Sequence, residues 1–148
     1  MKIQSPVPYS KRKALRRSFV ILVLLVSIPF MQSFLVLSDE WKAPDSAKLK
    51  KNPVVAEETS LAAGKKVYEK ECFSCHGKKG KGDGPNSATL EKAPGDLTSA
   101  KVQDQTDGEL FWKITEGKKP MPTTKKSLTD EQRWQVVNYI RIFKKPPK

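Results

Sequence analysis

The sequence predicts an all-α domain of about three main helices, preceded by a membrane helix. Segments 60–71, 107–116 and 130–143 place apolar residues at helical spacing. No segment shows a convincing alternation of apolar and polar residues, so no β-strand is expected. Glycine-rich 76–86 and the stretch 86–105 have no clear period. Because a small, loop-rich domain buries little apolar surface, we expect it to need an additional source of stability.

Local signals define the ends of these helices. Thr106 with Glu109, and Thr129 with Gln132, form capping boxes ahead of the second and third helices. Gly117 is a natural end for the second helix. The predicted buried faces consist of Leu61, Gly64, Val67 and Tyr68 in the first helix, Leu110, Phe111 and Ile114 in the second, and Val136, Val137, Tyr139, Ile140 and Phe143 in the third.

The chain of 148 residues has a net charge of +12, and the excess of basic residues is divided between two regions. Residues 1–57 carry ten Lys/Arg against four Asp/Glu, and residues 58–148 carry eighteen against twelve. The first excess accompanies a targeting signal, and the second belongs to the folded domain. Since no nucleic-acid-binding motif is visible, we do not expect a nucleic-acid partner.

An uncharged run of nineteen residues, 19–37, predicts a transmembrane anchor. As a helix it is about 28 Å long, close to the ~30 Å hydrocarbon core of a bilayer. The basic segment 1–18 before it, with Asp39 and Glu40 after it, places the N-terminus in the cytoplasm. The rest of the chain then lies on the periplasmic side of the cytoplasmic membrane. Cleavage of a signal peptide, which releases a soluble periplasmic protein, is the alternative.

A flexible tether is predicted over residues 38–57, which mix Asp, Lys, Pro and Ala without a period. Twenty such residues reach roughly 65 Å when fully extended. The folded domain is then expected over residues 58–148.

Cys72, Cys75 and His76 form a C-x-x-C-H motif, which is typical of covalent haem attachment. The motif contains both cysteines and the single histidine of the chain. We expect both thiols to form thioethers with one haem c and the imidazole to ligate its iron. A zinc site would need a fourth ligand, and a thioredoxin-like pair would need a neighbouring βαβ unit, so both alternatives are disfavoured.

Met121 is the candidate for the sixth position of the iron, because the chain has no second histidine. Met1 is the initiator, and Met31 lies in the apolar run. Pro120 and Pro122 predict a stiff, extended loop around Met121 and exclude it from a helix. An ordinary core-filling methionine is the alternative. Ligation by His and Met raises the reduction potential, so we expect a mid- to high-potential carrier.

Several segments resemble bacterial class I cytochromes c with one haem, and the resemblance covers about residues 60–143. The segments are Gly64–Tyr68, Cys72–Gly77, Gly82–Pro85, Asp96–Thr98, Asp107–Gly117, Met121–Pro122, Leu128–Trp134 and Asn138–Arg141. The resemblance implies the class I cytochrome c fold, with the first and last helices crossing at Gly64, Tyr68 and Tyr139. It also implies that the carbonyl of Pro85 holds the second ring nitrogen of His76.

The distribution of lysines favours docking to acidic redox partner proteins. These lysines lie on the loops expected to border the haem, at Lys78, Lys79, Lys81, Lys118, Lys119, Lys125 and Lys126. We expect a one-electron carrier between respiratory-type partners, not an enzyme, with no small-molecule substrate. The alternatives are an electron-entry subunit of an oxidoreductase complex and a haem-based gas sensor.

Overall fold

The computed structural model describes residues 40–144, and the regular elements within that range are helical. These elements are α1 (Asp45–Lys48), α2 (Glu58–Glu71), α3 (Phe73–His76), a 3-10 turn (Ser87–Thr89), α4 (Ala100–Gln103), α5 (Asp107–Glu116) and α6 (Asp130–Arg141). The all-α prediction is confirmed. Within residues 40–144 no helix is both long and apolar enough to cross a membrane. The predicted segments 1–18 and 19–37 lie outside the described residues.

The three main helices occur where the sequence predicts them, as α2, α5 and α6. Both capping boxes form: the Glu109 amide donates to Thr106 Oγ1 at 3.2 Å, and the Gln132 amide donates to Thr129 Oγ1 at 3.2 Å. The last helix ends two residues before its predicted end. There the Phe143 amide bonds to the carbonyl of Ile140 at 3.1 Å, three residues back instead of four, which is typical of a tightened last turn.

Helices α2 and α6 cross closely at Gly64. A Cβ atom at this position would lie 2.1 Å from the carbonyl oxygen of Gln135, so only glycine allows the approach. One helical turn further on, the ring of Tyr68 packs 5.3 Å from the ring of Tyr139 and 5.4 Å from that of Phe143. The crossing implied by the resemblance is therefore present.

The core lies between α2, α5 and α6. Its buried members are Tyr68, Leu110, Phe111, Ile114, Trp134, Val136, Val137 and Ile140. The rings of Phe111 and Trp134 stack at 4.0 Å. Trp134 was absent from the predicted buried face, although it is 2% exposed. Leu61, which was predicted to be buried, is only half-buried because α2 turns the face containing Ser60, Gly64 and Tyr68 toward α6.

The predicted tether is wrong for most of its length, because residues 41–54 contact the helices as an N-terminal strap. The compact unit that holds the helices begins at Trp41. Ala43 and Ala47 are buried, and a Cβ at Gly108 would lie 2.0 Å from the carbonyl oxygen of Ala47. The ring of Trp41 lies 6.4 Å from that of Trp112.

The second half of the N-terminal strap is held by polar contacts. Asn52 Nδ2 donates to Asn138 Oδ1 at 2.7 Å, and Asn138 Nδ2 donates to the carbonyl of Val54 at 3.0 Å. Lys50 Nζ lies 4.0 Å from the centroid of the Phe111 ring. These contacts replace the free chain that the sequence predicts. They depend on single residues at irregular spacing, which leave no periodic pattern.

Candidate functional site

The C-x-x-C-H motif lies at the junction of two helices. Cys72 caps the end of α2, where its amide donates to the carbonyl of Tyr68 at 2.9 Å. The next turn, α3, is closed by the amide of His76 donating to the carbonyl of Cys72 at 2.9 Å. Residues three and four positions apart are neighbours on a helical turn, so Cys72, Cys75 and His76 lie close together.

The glycine-rich loop after the motif folds back onto α3. The amides of Gly82, Gly84 and Asn86 donate to the carbonyls of His76, Cys75 and Ser74 at 3.0, 3.1 and 2.8 Å respectively. These carbonyls end a helix and would otherwise lack partners. A Cβ at Gly84 would lie 2.5 Å from the carbonyl oxygens of Phe73 and Ser74, so this close contact requires glycine. The loop therefore makes the motif turn rigid.

His76 is held by a backbone carbonyl other than the one implied by the resemblance. Its Nδ1 lies 3.3 Å from the carbonyl oxygen of Gly95, whereas the exposed Pro85 follows a segment that is bonded to α3. Gly95 reaches this position because the Leu97 amide donates to the carbonyl of Gly80 at 2.6 Å and anchors the segment. The implied role of Pro85 is therefore corrected to Gly95.

This contact determines the tautomer of His76. A carbonyl oxygen only accepts, so Nδ1 carries the proton and Nε2 carries the lone pair that binds a metal. Burial lowers the pKa of His76, and the hydrogen bond to Gly95 opposes this shift more weakly. The imidazole is therefore neutral near pH 7, as a metal ligand must be.

The two cysteines are free thiols in partly buried positions. Burial, with a smaller contribution from the charge of Glu71, raises the pKa of Cys72 to about 12. The side chain of Cys72 packs against the core. Among the described residues, no three His, Cys, Asp or Glu side chains are grouped to hold a metal ion, so the zinc alternative has no supporting cluster there.

Met121 lies outside any helix, as predicted, but in a tight turn and not in an extended loop. Its amide donates to the carbonyl of Lys118 at 2.9 Å, and these two residues form an isolated bridge. The side chain of Met121 is partly buried against the same core cluster that Cys72 contacts. The structure thus groups Cys72, Cys75 and His76 in one turn and places Met121 on a separate loop after α5.

Sequence reasoning assigned Tyr68 to the helix crossing but missed a second contact. The Tyr68 hydroxyl is buried and donates to the carbonyl of Gly77 at 2.8 Å, directly after the histidine of the motif. Burial raises the pKa of Tyr68, with smaller contributions from Cys72 and Tyr139. Tyr68 therefore ties the end of the motif to α2.

The donor atoms fit a covalently attached haem. Two thiols three positions apart suit its two vinyl groups, and the lone pair of His76 Nε2 suits its iron. A helical domain with these groups defines a c-type cytochrome.

The comparisons identify the family. Residues 59–140 match the family model described as cytochrome c oxidase, cbb3-type, subunit III. Because this match covers more than half of the chain, the chain belongs to this family. The chain is accordingly a class I cytochrome c that carries haem c with iron, the cofactor of a family of electron-transfer proteins. Comparison with curated proteins gives no match.

Two solved structures are similar to the chain. One is a chain of the Kuenenia stuttgartiensis reducing HAO-like protein complex Kustc0457/Kustc0458, with 32% identity and a TM-score of 0.58. That alignment covers 63% of this chain and 47% of the other, so this chain spans about half the length of its relative. The second is the KustC0563 c-type cytochrome, with 30% identity and a TM-score of 0.49, covering 55% of this chain and 98% of the other.

Proposed function

We propose that the protein is a one-electron carrier in which Cys72 and Cys75 attach a single haem, and His76 and Met121 ligate its iron. The observation that carries this proposal is the contact between His76 Nδ1 and the Gly95 carbonyl at 3.3 Å. It leaves Nε2 as the basic nitrogen of a histidine that shares its helical turn with both attachment cysteines. A bound haem supplies reversible Fe(II)/Fe(III) cycling.

The surroundings of these ligands suit electron transfer because they are rigid. The motif turn is bonded to its own glycine-rich loop, and Tyr68 fixes its end. Ligands that are held rigidly change their positions little between the two oxidation states of the iron, which favours rapid electron transfer. Two protein ligands also leave no open coordination site for a substrate, so we propose no enzymatic activity for the isolated chain.

Exposed lysines on the loops near the site support docking to acidic redox partners. Lys78, Lys79 and Lys81 follow the motif, and Lys119 and Lys126 flank Met121; all five are exposed. Opposite charges on a partner would accelerate encounter and make it sensitive to salt. We propose that the partners are proteins of a respiratory type.

Residues 19–37 support location at the cytoplasmic membrane, with the haem domain on the periplasmic side. A soluble periplasmic form after signal cleavage is the alternative. Intact-mass measurement distinguishes the anchored form from the soluble form. The protein is taken from the membrane fraction, separated by denaturing electrophoresis and located by haem staining. A mass that includes residues 1–38 and one haem supports the anchored form. A mass without haem contradicts the cofactor assignment.

A second candidate is an electron-entry subunit of a larger oxidoreductase. The matching family is described as an oxidase subunit, and one similar chain belongs to a protein complex. Co-purification in a fixed stoichiometry with a larger enzyme would favour this role over a mobile shuttle.

Substitution of Met121 by Ala tests the proposed ligand. We expect the variant to bind carbon monoxide in the reduced state far more readily than the wild type, and its midpoint potential to fall. Val102→Ala is a matched control, because Val102 is another partly buried side chain packed on the core. If the reduced wild type binds carbon monoxide as readily as Met121→Ala does, the assignment of Met121 as ligand is contradicted and a gas sensor is favoured.

A further inference from the structure

The loop that carries Met121 also completes the end of helix α5. The last four carbonyls of an α-helix have no partner within the helix. In α5 the carbonyl of Lys113 accepts from the amide of Gly117 at 3.0 Å. The next two carbonyls, those of Ile114 and Thr115, accept from residues beyond Met121. The loop that carries Met121, called the ligand loop below, thus supplies the hydrogen-bond donors that the carbonyls at the end of α5 need.

Thr124 makes the central contacts of this closure. Its hydroxyl donates to the carbonyl of Ile114 at 2.8 Å, and its amide donates to the carbonyl of Thr115 at 3.2 Å. Thr124 is 9% exposed, so water does not readily replace the hydroxyl. The neighbouring Thr123 hydroxyl donates to the carbonyl of Thr115 at 2.7 Å, but Thr123 is exposed.

Arg133, in helix α6, also holds Thr124. Its NH1 group donates to the carbonyl of Thr124 at 3.2 Å, and its NH2 group pairs with Asp130. The guanidinium carbon lies 5.4 Å from the centroid of the Phe111 ring. Arg133 is 6% exposed, and this buried cation therefore joins α6 to the base of the ligand loop.

Gly117 closes the opposite end of the loop. Its φ of +66° is in the left-handed region that favours glycine, and a Cβ there would lie 2.5 Å from the carbonyl carbon of Pro122. Residues 117 and 122–124 therefore meet, with Met121 between them. The loop is fixed at both ends to the body of the domain.

We propose that Thr124 is a positioning residue for Met121. Thr124 holds the Met121 thioether within reach of the iron and opposes displacement of this ligand. This inference rests on the proposed function, because it takes Met121 as the ligand. The backbone of Met121 cannot move away from the site without movement of its loop, and the hydrogen bonds of Thr124 oppose that movement. The side chain of Thr124 acts through the loop and not on the haem.

Thr124→Val tests this role in the detergent-solubilised, full-length holoprotein. The substitution keeps the shape but removes the donor, and leaves the buried carbonyl of Ile114 without its partner. We expect about tenfold tighter carbon monoxide binding to the reduced protein, with weakening of the iron–thioether absorption band of the oxidised protein. Thr124→Ser keeps the hydroxyl and should restore wild-type behaviour. Thr123→Val removes an exposed bond from the same loop and serves as the matched control.

A measurement on the wild type covers the case in which Thr124→Val does not accumulate. Saturation of the oxidised protein with cyanide displaces the sixth ligand, and linkage requires the loop contacts to weaken in return. We expect faster hydrogen exchange at the amides of Thr124 and Gly117 in the cyanide-bound protein. Unchanged exchange at both amides would overturn the proposal.

Different results would contradict the ligation of the iron by Met121 and the positioning role of Thr124. If Met121→Ala binds carbon monoxide no better than the wild type, the ligand assignment of the proposed function is wrong. If Met121→Ala binds it more tightly but Thr124→Val behaves like the wild type, only the positioning role is wrong. A Thr124→Val variant with a lower free energy of unfolding and unchanged carbon monoxide binding would show a purely structural residue, and would also overturn the inference.

Discussion

The side-chain amide of Asn52 donates to Oδ1 of Asn138 at 2.7 Å, across 86 positions of sequence. Asn138 is 5% exposed and also donates to the carbonyl of Val54 and to Ser60 Oγ, at 3.0 and 3.1 Å. One buried amide therefore joins the N-terminal strap, α2 and α6. The family match begins at residue 59, after most of the residues that this amide holds.

Asn138→Ala should lower the free energy of unfolding by about 2–3 kcal/mol, because it leaves several buried polar groups without partners. Urea unfolding of the holoprotein at 25 °C measures the effect. Gln135→Ala is the control on the same helix, since Gln135 makes an exposed contact with Glu131 at 3.2 Å. Its effect should stay within about 0.5 kcal/mol. Equal effects of the two substitutions would refute the role of Asn138.

Lys50→Ala should lower the free energy of unfolding by about 0.5–1 kcal/mol. The ammonium group lies 4.0 Å from the centroid of the Phe111 ring, where the attraction of a cation to an aromatic face is of this size. Lys50→Arg should retain most of the stability. Lys51→Ala, at the exposed neighbouring position, is the control for loss of charge. If Lys51→Ala is equally destabilising, general electrostatics and not the ring contact explains the loss.

Gly64→Ala should be among the more damaging single substitutions. Its Cβ would lie 2.1 Å from the backbone oxygen of Gln135, so α2 and α6 must separate, at a cost of about 3 kcal/mol. We expect a large fall in the urea midpoint or in the yield of holoprotein. Ala62→Gly, at an exposed position of the same helix, should cost only about 1 kcal/mol. A tolerated alanine at position 64 would contradict the close crossing.

Tyr68→Phe should destabilise the protein by about 1–3 kcal/mol near neutral pH, because the buried carbonyl of Gly77 loses its donor. Burial raises the pKa of Tyr68 above its ordinary value of 10.0. Above that pH the unfolded tyrosine loses its proton while the folded one keeps it, so the wild type loses stability as pH rises. The difference between wild type and variant should therefore shrink above about pH 10. A constant difference between pH 8 and 11 would show that Tyr68 titrates alike in both states.

The features that the sequence predicted depend on local chemistry. Thr106 and Glu109 are three residues apart, and their capping box is complete within one helical turn. The C-x-x-C-H motif is similarly local, because its members lie on one turn after α2. Helices α5 and α6 were accessible to pattern analysis for the same reason.

The features that were missed depend on contacts between distant segments. Gly95 lies in a stretch without a period, and only its position in space brings its carbonyl to His76. The N-terminal strap contains small and polar residues that also suit a free linker. Ala47 becomes buried because Gly108 leaves room for its backbone, a fit between positions that no single segment reveals.

The N-terminal strap also bears on where a recombinant fragment of the cytochrome domain should begin. A recombinant fragment starting at residue 58 would remove the backbone of Ala47 from Gly108 and leave Asn138 without two of its partners. A fragment starting at Trp41 keeps every contact of the strap described above. Removal of residues 1–38 by a signal peptidase would also spare Trp41. Anchored and processed forms, the two alternatives of the proposed location, would then contain the same cytochrome domain.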